Sequence, residues 1–357
     1  MKRKPFKSTI SALLILLLAA STGFAQVTGS GDVVKQDRKV GDFNGVSVSS
    51  GIDLTVKQGA QQALVIEADD NLQDYIISEV KEGILHVYVK KNTNIRQSRA
   101  MDAHVTVTEI NKINASGGGD VESLSMINTD EIVISISGGG DLSFELTAER
   151  AKCQMSGGGD VALEGNIDAF KASLSGGGDI ALEGEIGMLD LNLSGGGDAV
   201  VDGKARATDV MANMSGGGDI VMDMECENIK INTSGGGDVT LDAGDNVAKA
   251  GINISSGGDL ALDIKAVDCM ISVGGGGDAS LSGSAEKFYG EMKSGGDLSA
   301  SDFMVQAAKL NLTGGSDARV HVEQELKVDA SGGSQVYVSG DPHIDANLSG
   351  GSKVHKK

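Results

Sequence analysis

The side chains best suited to chemistry are aspartates that close a repeated Ser-Gly-Gly-Gly-Asp motif. Ten copies, seven of them exact and three with small changes, follow one another at steps of 19 or 21 residues. The residues sharing this last position are Asp120, Asp141, Asp160, Asp179, Asp198, Asp219, Asp238, Asp259, Asp278 and Asp297. If each copy is one coil of a stacked structure, the carboxylates form a column with ~4.8 Å spacing, called here the aspartate column. Neighbouring charges at that spacing repel by roughly 0.9 kcal/mol even in bulk water.

Two arrangements would offset this repulsion. Short acidic side chains in turns accept backbone hydrogen bonds, so corner glycine N–H groups could satisfy each aspartate. Carboxylates are also the ligands that Ca²⁺ prefers, which makes the ten aspartates candidate metal ligands and Ca²⁺ the one candidate cofactor. A second acidic column lies four residues further on, at Glu145, Glu164, Glu183, Asp202, Asp223, Asp242 and Asp263. Gln335 and Lys353 replace the aspartate in the last copies, so a cation row would end before them.

A polar column precedes the repeat aspartate by six residues, and it is called here the amide column. Its asparagines are Asn114, Asn192, Asn213, Asn232, Asn253, Asn311 and Asn347, with serines between several of them. One interpretation is a hydrogen-bonded amide ladder along the stack. The other is a polar face for a glycan, an ice surface or a partner protein. The chain has no Trp and only 3% aromatic residues, which argues against sugar binding by stacking.

Enzyme motifs are missing from the sequence. The five histidines, His86, His104, His321, His343 and His355, are scattered and fit no metal-binding spacing. No Gly-x-Ser-x-Gly elbow is present. We therefore expect a non-enzyme, with a polysaccharide lyase-like activity as a remote alternative by analogy of fold.

The pattern around each motif predicts strands with one buried face. Leu189, Leu191 and Leu193 alternate with polar residues before the corner at Gly195, and Ala199 resumes the alternation after it. Apolar residues recur in register five and seven residues before each aspartate and one residue after it. The fold class predicted is therefore all-β, a single-stranded right-handed parallel β-helix (solenoid) with 18–21-residue coils and an N-terminal cap.

Four segments are predicted along the chain. Residues 1–25 are a signal peptide, 26–42 a linker, 43–115 the N-terminal cap and first coils, and 116–357 the repeat solenoid. Within the cap we expect strands at 45–48, 52–56, 63–68 and 84–90, and a short amphipathic helix at 72–80. The cap is expected because a solenoid end must be covered to stay soluble.

Charge and targeting signals place the protein outside the cytoplasm. Lys2, Arg3, Lys4 and Lys7 precede an apolar run that is too short to span a bilayer, and small residues precede Gln26, as in a secretory signal. Cleavage there changes the formal charge from −20 to −24, which opposes nucleic-acid binding. No later segment is apolar enough to be transmembrane. We expect an extracytoplasmic location: periplasmic, outer-membrane surface or secreted.

The three cysteines are predicted to form no intrachain disulfide. On coils ~4.8 Å apart, Cys153 and Cys269 lie about 29 Å from each other, and Cys226 lies at least ~10 Å from either. Disulfide geometry requires Cα atoms within about 7 Å. Cys153 and Cys269 occupy inward positions, where they serve as small core residues.

The chain resembles the putative auto-transporter adhesin head domain family, the GIN domain. The similar segments are residues 43–46, 50–59, 64–68 and 83–85, the pattern Leu72…Ile76…Val80, and the glycine-aspartate corners. The resemblance spans roughly residues 40–357. It implies an exported bacterial β-helix protein and brings no catalytic or ligand residues. The function expected is a non-catalytic surface adhesin or scaffold module that binds a surface ligand or protein through a repeated face, with a Ca²⁺-binding repeat domain as the alternative.

Overall fold

The computed structural model describes residues 25–357, apart from the side chains of residues 25 and 203–205. The predicted signal peptide lies outside this range except for its last residue. The described chain is nearly all β and forms a parallel β-solenoid of about 13 turns, with strands about 19 residues apart. The predicted fold class is confirmed.

The strands run in chain order from the cap into the repeat array. The first nine are β1 Ala25–Thr28, β2 Val33–Arg38, β3 Gly45–Ser49, β4 Asp53–Gln58, β5 Ala63–Asp69, β6 Ile76–Lys81, β7 Ile84–Val89, β8 Thr93–Gln97 and β9 Met101–Val107. The next nine are β10 Lys112–Ser116, β11 Val121–Ser123, β12 Ile127–Gly138, β13 Leu142–Gly157, β14 Val161–Gly176, β15 Ile180–Gly195, β16 Ala199–Met214, β17 Ile220–Thr233 and β18 Val239–Asp242. The last eight are β19 Val247–Ile254, β20 Leu260–Val273, β21 Ala279–Met292, β22 Leu298–Leu312, β23 Asp317–Ala330, β24 Gln335–Ser339, β25 His343–Leu348 and β26 Lys353–Lys356.

Successive coils pair in parallel and in register, which stacks like residues on like. β13 pairs with β14 from Leu142–Val161 to Gly157–Gly176, and β14 pairs with β15 in the same way. The three apolar columns predicted from the sequence are buried throughout, for example Leu191 and Leu193 before a corner and Ile180 after one. A core of this kind grows by whole coils, because each coil contacts only its neighbours.

Four strands of the array each run through most of a coil. β13, β14, β15 and β16 each contain 16 residues. The chain also bends elsewhere in each coil, but the strands continue through those bends because the hydrogen bonds between neighbouring coils are kept there. Gly165, for example, still pairs with Leu146. In these four coils, only the Ser-Gly-Gly-Gly-Asp corner interrupts the strand.

The N-terminal strands end the solenoid in an order that differs from the chain order. β10 stacks on β3, which stacks on β7, while β11 stacks on β4, which stacks on β9. Antiparallel strands then cover both stacks, β6 on β7 and β5 on β9, with β2 on β5. The four predicted cap strands are present with small shifts of their ends.

The helix expected at 72–80 was wrong. A 3₁₀ helix spans Asp70–Tyr75, and β6 begins directly after it. The β-branched Ile76, Ile77 and Val80 favour a strand, and pairing with β7 outweighs the apolar spacing that indicated a helix. Within residues 25–357, no helix is long and apolar enough to cross a membrane.

All three cysteines are free and buried, and burial raises the pKa of each thiol to about 12. Cys153 and Cys269 lie in the core, as the sequence predicts. They therefore behave as small apolar residues and not as reactive thiols.

Candidate functional site

The glycines of each corner have different roles, which the coil ending at Asp179 illustrates. A Cβ on Gly176 would lie 1.8 Å from the carbonyl oxygen of Gly157, and Gly176 has a φ of +140°. A Cβ on Gly178 would also lie 1.8 Å from a carbonyl oxygen, that of Gly159. A Cβ on Gly177 would meet nothing within 4 Å. The outer two glycines therefore permit the close stacking of coils, while the middle one faces open space.

The aspartate column is held by a ladder of hydrogen bonds between coils. The backbone N–H of Asp141 donates to Oδ1 of Asp120 at 2.9 Å, and the same bond recurs from coil to coil at 2.8–3.0 Å up to Asp297. It continues to Asp53 in the cap and to Asp317 and Gln335 at the other end. Backbone hydrogen bonding, one of the two arrangements that the sequence left open, is present, but its donor differs from the one expected. The donor is the N–H of the next aspartate and not that of a corner glycine.

This ladder occupies one oxygen of each carboxylate. The second oxygen, Oδ2, accepts no hydrogen bond from the side chains and backbone of the described residues. Most of these aspartates are exposed. The column therefore presents a row of solvent-facing oxygen atoms, one per coil.

The second acidic column lies on the same face. Glu145, Glu164 and Glu183 are register partners, as are Asp223, Asp242 and Asp263. Between the two columns runs a lane of small residues that includes Ala162, Ala181, Val200 and Val221. The face is thus acidic at both sides and weakly apolar along its middle.

A groove of about 860 Å³ follows the amide column over eight coils. Its walls are the amide column and a serine column two residues further on, from Asn114 to Ser255. Asn232 Nδ2 donates to Asn213 Oδ1 at 3.0 Å, and Asn213 Nδ2 donates to Asn192 Oδ1 at 3.1 Å. The amide ladder predicted from the sequence is confirmed for these three coils.

Among the described residues, four of the eight hydroxyls in this serine column donate to backbone carbonyls of the preceding coil. Ser194 Oγ donates to the carbonyl of Leu174 at 3.3 Å, and Ser255 Oγ donates to that of Thr233 at 3.0 Å. With its one proton donated to the backbone, each of these four hydroxyls presents its lone pairs to the groove. The groove therefore carries uncharged polar groups at regular intervals along its length.

A second groove of about 670 Å³ lies beside the first and was not anticipated from the sequence. Met188 and Met211 line it and are 52% and 43% exposed, and basic side chains such as Arg150, Lys171 and Lys230 accompany them. The sequence signal was weak because Met188 directly precedes the buried Leu189, which obscures the alternation of inward and outward residues.

A cluster of potential metal ligands lies on the outer face of the cap. Ligand atoms of Glu67, Asp102 and His104 all lie within 4.8 Å of one another. His104 Nε2 is 2.8 Å from Glu67 Oε2, and His104 Nδ1 is 2.7 Å from Thr55 Oγ1. The spacing of the histidines in the sequence did not indicate this cluster. Antiparallel pairing of β5 with β9 brings together residues that are far apart in sequence.

The electrostatics of this cluster differ between its two carboxylates. The hydrogen bond from His104, followed by that from Lys35, lowers the pKa of Glu67. Burial, followed by repulsion from Asp53, raises the pKa of Asp102. Asp102 has no hydrogen bond to its carboxylate within residues 25–357. The only local signal in the sequence was the spacing of Asp102 and His104, which places both on one face of a strand.

The fold and its open faces define a β-solenoid of the repeat class, in which stacked coils present extended surfaces. The chain belongs to the family described as "Putative auto-transporter adhesin, head GIN domain", whose model matches residues 42–186, 185–248 and 242–342. It is therefore an adhesin-like module. Among curated proteins, none matches the chain.

Several solved structures are similar to it over most of its length. A putative adhesin from Parabacteroides merdae ATCC 43184 is 17% identical, with a TM-score of 0.34, and the match covers 93% of this chain and 99% of that one. A putative adhesin from Bacteroides fragilis NCTC 9343 is 16% identical, with a TM-score of 0.31 and the same coverage. A putative lipid binding protein from Parabacteroides distasonis ATCC 8503 is 16% identical, with a TM-score of 0.32, again over 93% and 99% of the two chains.

Proposed function

We propose that this protein is an exported, non-catalytic adhesin module that binds an extended, neutral polar chain, such as a glycan, along the groove of the amide column. The family membership supports adhesion. The signal-peptide pattern of residues 1–25 supports export to the periplasm, the outer-membrane surface or the medium.

The observation that carries the proposal is the regular supply of hydrogen-bonding groups in this groove. Within the ladder, Asn213 uses one amide proton and one oxygen lone pair for its neighbours, which leaves one donor and one acceptor site for a ligand. Eight coils line the groove, so its length is about 34 Å at ~4.8 Å per coil. None of the described residues that line it is charged. A long ligand with hydroxyl groups at repeated intervals matches this surface better than an ionic one does.

Affinity electrophoresis tests the proposal. The chain from Gln26 is run through gels containing a neutral polysaccharide, either dextran, pullulan, galactomannan or a β-glucan. We expect retardation by at least one of them, and loss of that retardation in the double variant Asn213→Ala/Asn232→Ala. Thr240→Ala, on the acidic face of the same coils, is the matched control and keeps the retardation. Migration unaffected by every polysaccharide, or equal retardation of the double variant, would contradict the proposal.

The Ca²⁺-binding alternative is supported by the aspartate column. Its ten carboxylates are aligned by the N–H ladder, and each keeps Oδ2 free of hydrogen bonds from the described residues, as a row of hard oxygen ligands requires. Calorimetric titration with CaCl₂ and melting in Ca²⁺ and in EDTA test it. A melting temperature that rises in Ca²⁺ and loses the rise in Asp160→Asn/Asp179→Asn supports a cation row. Identical melting in Ca²⁺ and in excess EDTA contradicts it.

The non-catalytic part of the proposal is supported by the uniformity of the array. A lyase-like site needs acids and a basic residue gathered where the repeat is interrupted, whereas the same hydrogen bond from Asp N–H to Asp Oδ1 recurs at every corner from Asp120 to Asp297. Incubation with acidic polysaccharides, followed by ultraviolet detection of unsaturated products, tests this part. Product formation above that of heat-denatured protein would overturn it.

A further inference from the structure

The cluster of Glu67, Asp102 and His104 in the cap lies in line with the aspartate column but contains different potential ligands. Asp53, whose Oδ1 accepts the N–H of Asp120, is the register partner of Asp102, which in turn is the partner of Glu67 on β5. His104 lies two residues after Asp102 and therefore on the same outer face of β9. The cap thus adds an imidazole to a row that contains only carboxylates in the repeat array.

The imidazole is oriented as a metal-bound histidine would be. Thr55 Oγ1 contacts Nδ1 at 2.7 Å, which fixes the ring and leaves Nε2 directed at the carboxylates. Histidine ligands usually have their second nitrogen held by a hydrogen-bonding group in this way. On cation binding, Nδ1–H would donate to Thr55, and Nε2 would exchange its contact with Glu67 for the metal.

The charges around the cluster also favour a divalent cation. The carboxylates of Glu67, Asp102 and Asp53 face one ammonium group, that of Lys35, whose Nζ is 3.1 Å from Glu67 Oε2. Lys35 is 64% exposed and can move away without breaking the core. The side chains of His104 and Glu67 are 32% and 24% exposed, so solvent and ions reach them.

We propose that Glu67, Asp102 and His104 form a binding site for a divalent transition-metal cation of the Zn²⁺ type, with water completing the coordination. One imidazole with two carboxylates suits Zn²⁺ and its neighbours in the periodic table, whereas Ca²⁺ selects oxygen ligands alone. The site is independent of the adhesion proposal and of the Ca²⁺ alternative, since it lies in the cap and uses His104.

Isothermal titration of the chain from Gln26 with ZnCl₂, in a buffer that does not bind metals, is the test. We expect one site per chain, with affinity at least tenfold lower in His104→Gln and in Asp102→Asn. The matched control His86→Gln, which lies on β7 as the register partner of Ser47 and outside the β5–β9 pairing, keeps the wild-type affinity. Asp160→Asn also keeps it, which separates this site from the aspartate column.

A Co²⁺ absorption spectrum provides a second readout, because the visible bands report ligand number and type. We expect bands that differ from those of aqueous Co²⁺ in the wild type and in His86→Gln, and only the spectrum of aqueous Co²⁺ in His104→Gln. Circular dichroism verifies that each variant is folded. If His104→Gln unfolds, the Zn²⁺ affinity of the isosteric variant Asp102→Asn tests the site instead. Absence of Zn²⁺ binding, or binding that neither ligand variant weakens, would overturn the proposal. Competition by equimolar Ca²⁺ would overturn the assignment to a transition metal.

Discussion

The two neighbouring glycines of one corner offer a sharp test of how the coils stack. In Gly178→Ala, the new Cβ would lie 1.8 Å from the carbonyl oxygen of Gly159, whereas Cβ atoms essentially never approach below 3.0 Å. The coils must therefore separate locally by about 1.2 Å, which is the difference between these two distances. That shift lengthens the bond from Gly177 N–H to Gly157 O, now 3.1 Å, and the bond from Asp179 N–H to Asp160 Oδ1, now 3.0 Å, beyond hydrogen-bonding range.

The expected loss follows from these two bonds. Each contributes about 0.5–1.5 kcal/mol, and the disturbed packing around the buried Gly178 adds to this, so Gly178→Ala should lower the free energy of unfolding by about 2–4 kcal/mol. Gly177→Ala is the matched control, because its Cβ meets open space and its φ lies outside the left-handed region. Reduced freedom of the unfolded chain makes that variant equal to the wild type or more stable by up to about 1 kcal/mol.

Urea unfolding followed by far-ultraviolet circular dichroism measures both variants against the wild type. Repeat proteins can unfold in parts, so amide hydrogen exchange around Asp179 is measured alongside. We expect faster exchange at this corner in Gly178→Ala alone. Equal unfolding midpoints for the two variants would refute the view that contact between coil backbones selects the third glycine.

Three further predictions concern single side chains. Thr233 Oγ1 is buried in the core without a hydrogen-bond partner among the described residues, so Thr233→Val should stabilise the protein by about 1 kcal/mol, measured by urea unfolding; a loss of stability would contradict this. Asp179→Asn keeps the acceptor for the next coil and removes one of a row of like charges, so it should melt no lower than the wild type at low salt, while Asp179→Ala should melt lower than Asp179→Asn. Lys293, followed by Ser272, holds the pKa of Glu291 below its ordinary value of 4.5. The ionised carboxylate therefore stabilises the folded protein above pH 4.5. This stabilisation is lost as the pH falls through the lowered pKa of the folded state. Glu291→Gln should therefore be less stable than the wild type at pH 7, by a margin that shrinks as the pH falls below 4.5, and a pH-independent difference would contradict the assignment.

The core of the solenoid could be predicted from the sequence because one repeat determines the register of the next. Once the aspartates are aligned, Leu174 must stack on Met155 and under Leu193, and the structure has this order. The position of the aspartate column followed from the same alignment. The hydrogen-bond donor to each aspartate could not be predicted in this way. Which N–H lies close to the carboxylate depends on the backbone path through the glycine corner, which the alignment does not give.

The cap was less predictable because it contains no repeat. Glu67 and Asp102 meet through an antiparallel pairing, and β3 and β4 stack between coils that come later in the chain. No local pattern encodes that order, so the cluster with His104 could not be derived from the sequence. The strand that begins at Ile76 was missed for the same reason. Its apolar spacing fits a helix, and only the pairing with β7, which the sequence does not show, makes it a strand.

The ladder along the aspartate column also bears on how such a protein changes length. Each bond joins equivalent atoms of adjacent coils, so removing residues 161–179 would bring Asp160 and Ile180 together and recreate every type of contact that was lost. The length of the solenoid therefore changes in steps of ~4.8 Å, one step for each coil. Gain or loss of whole coils by duplication or deletion would alter the length of the solenoid while the chemistry of its faces stays constant.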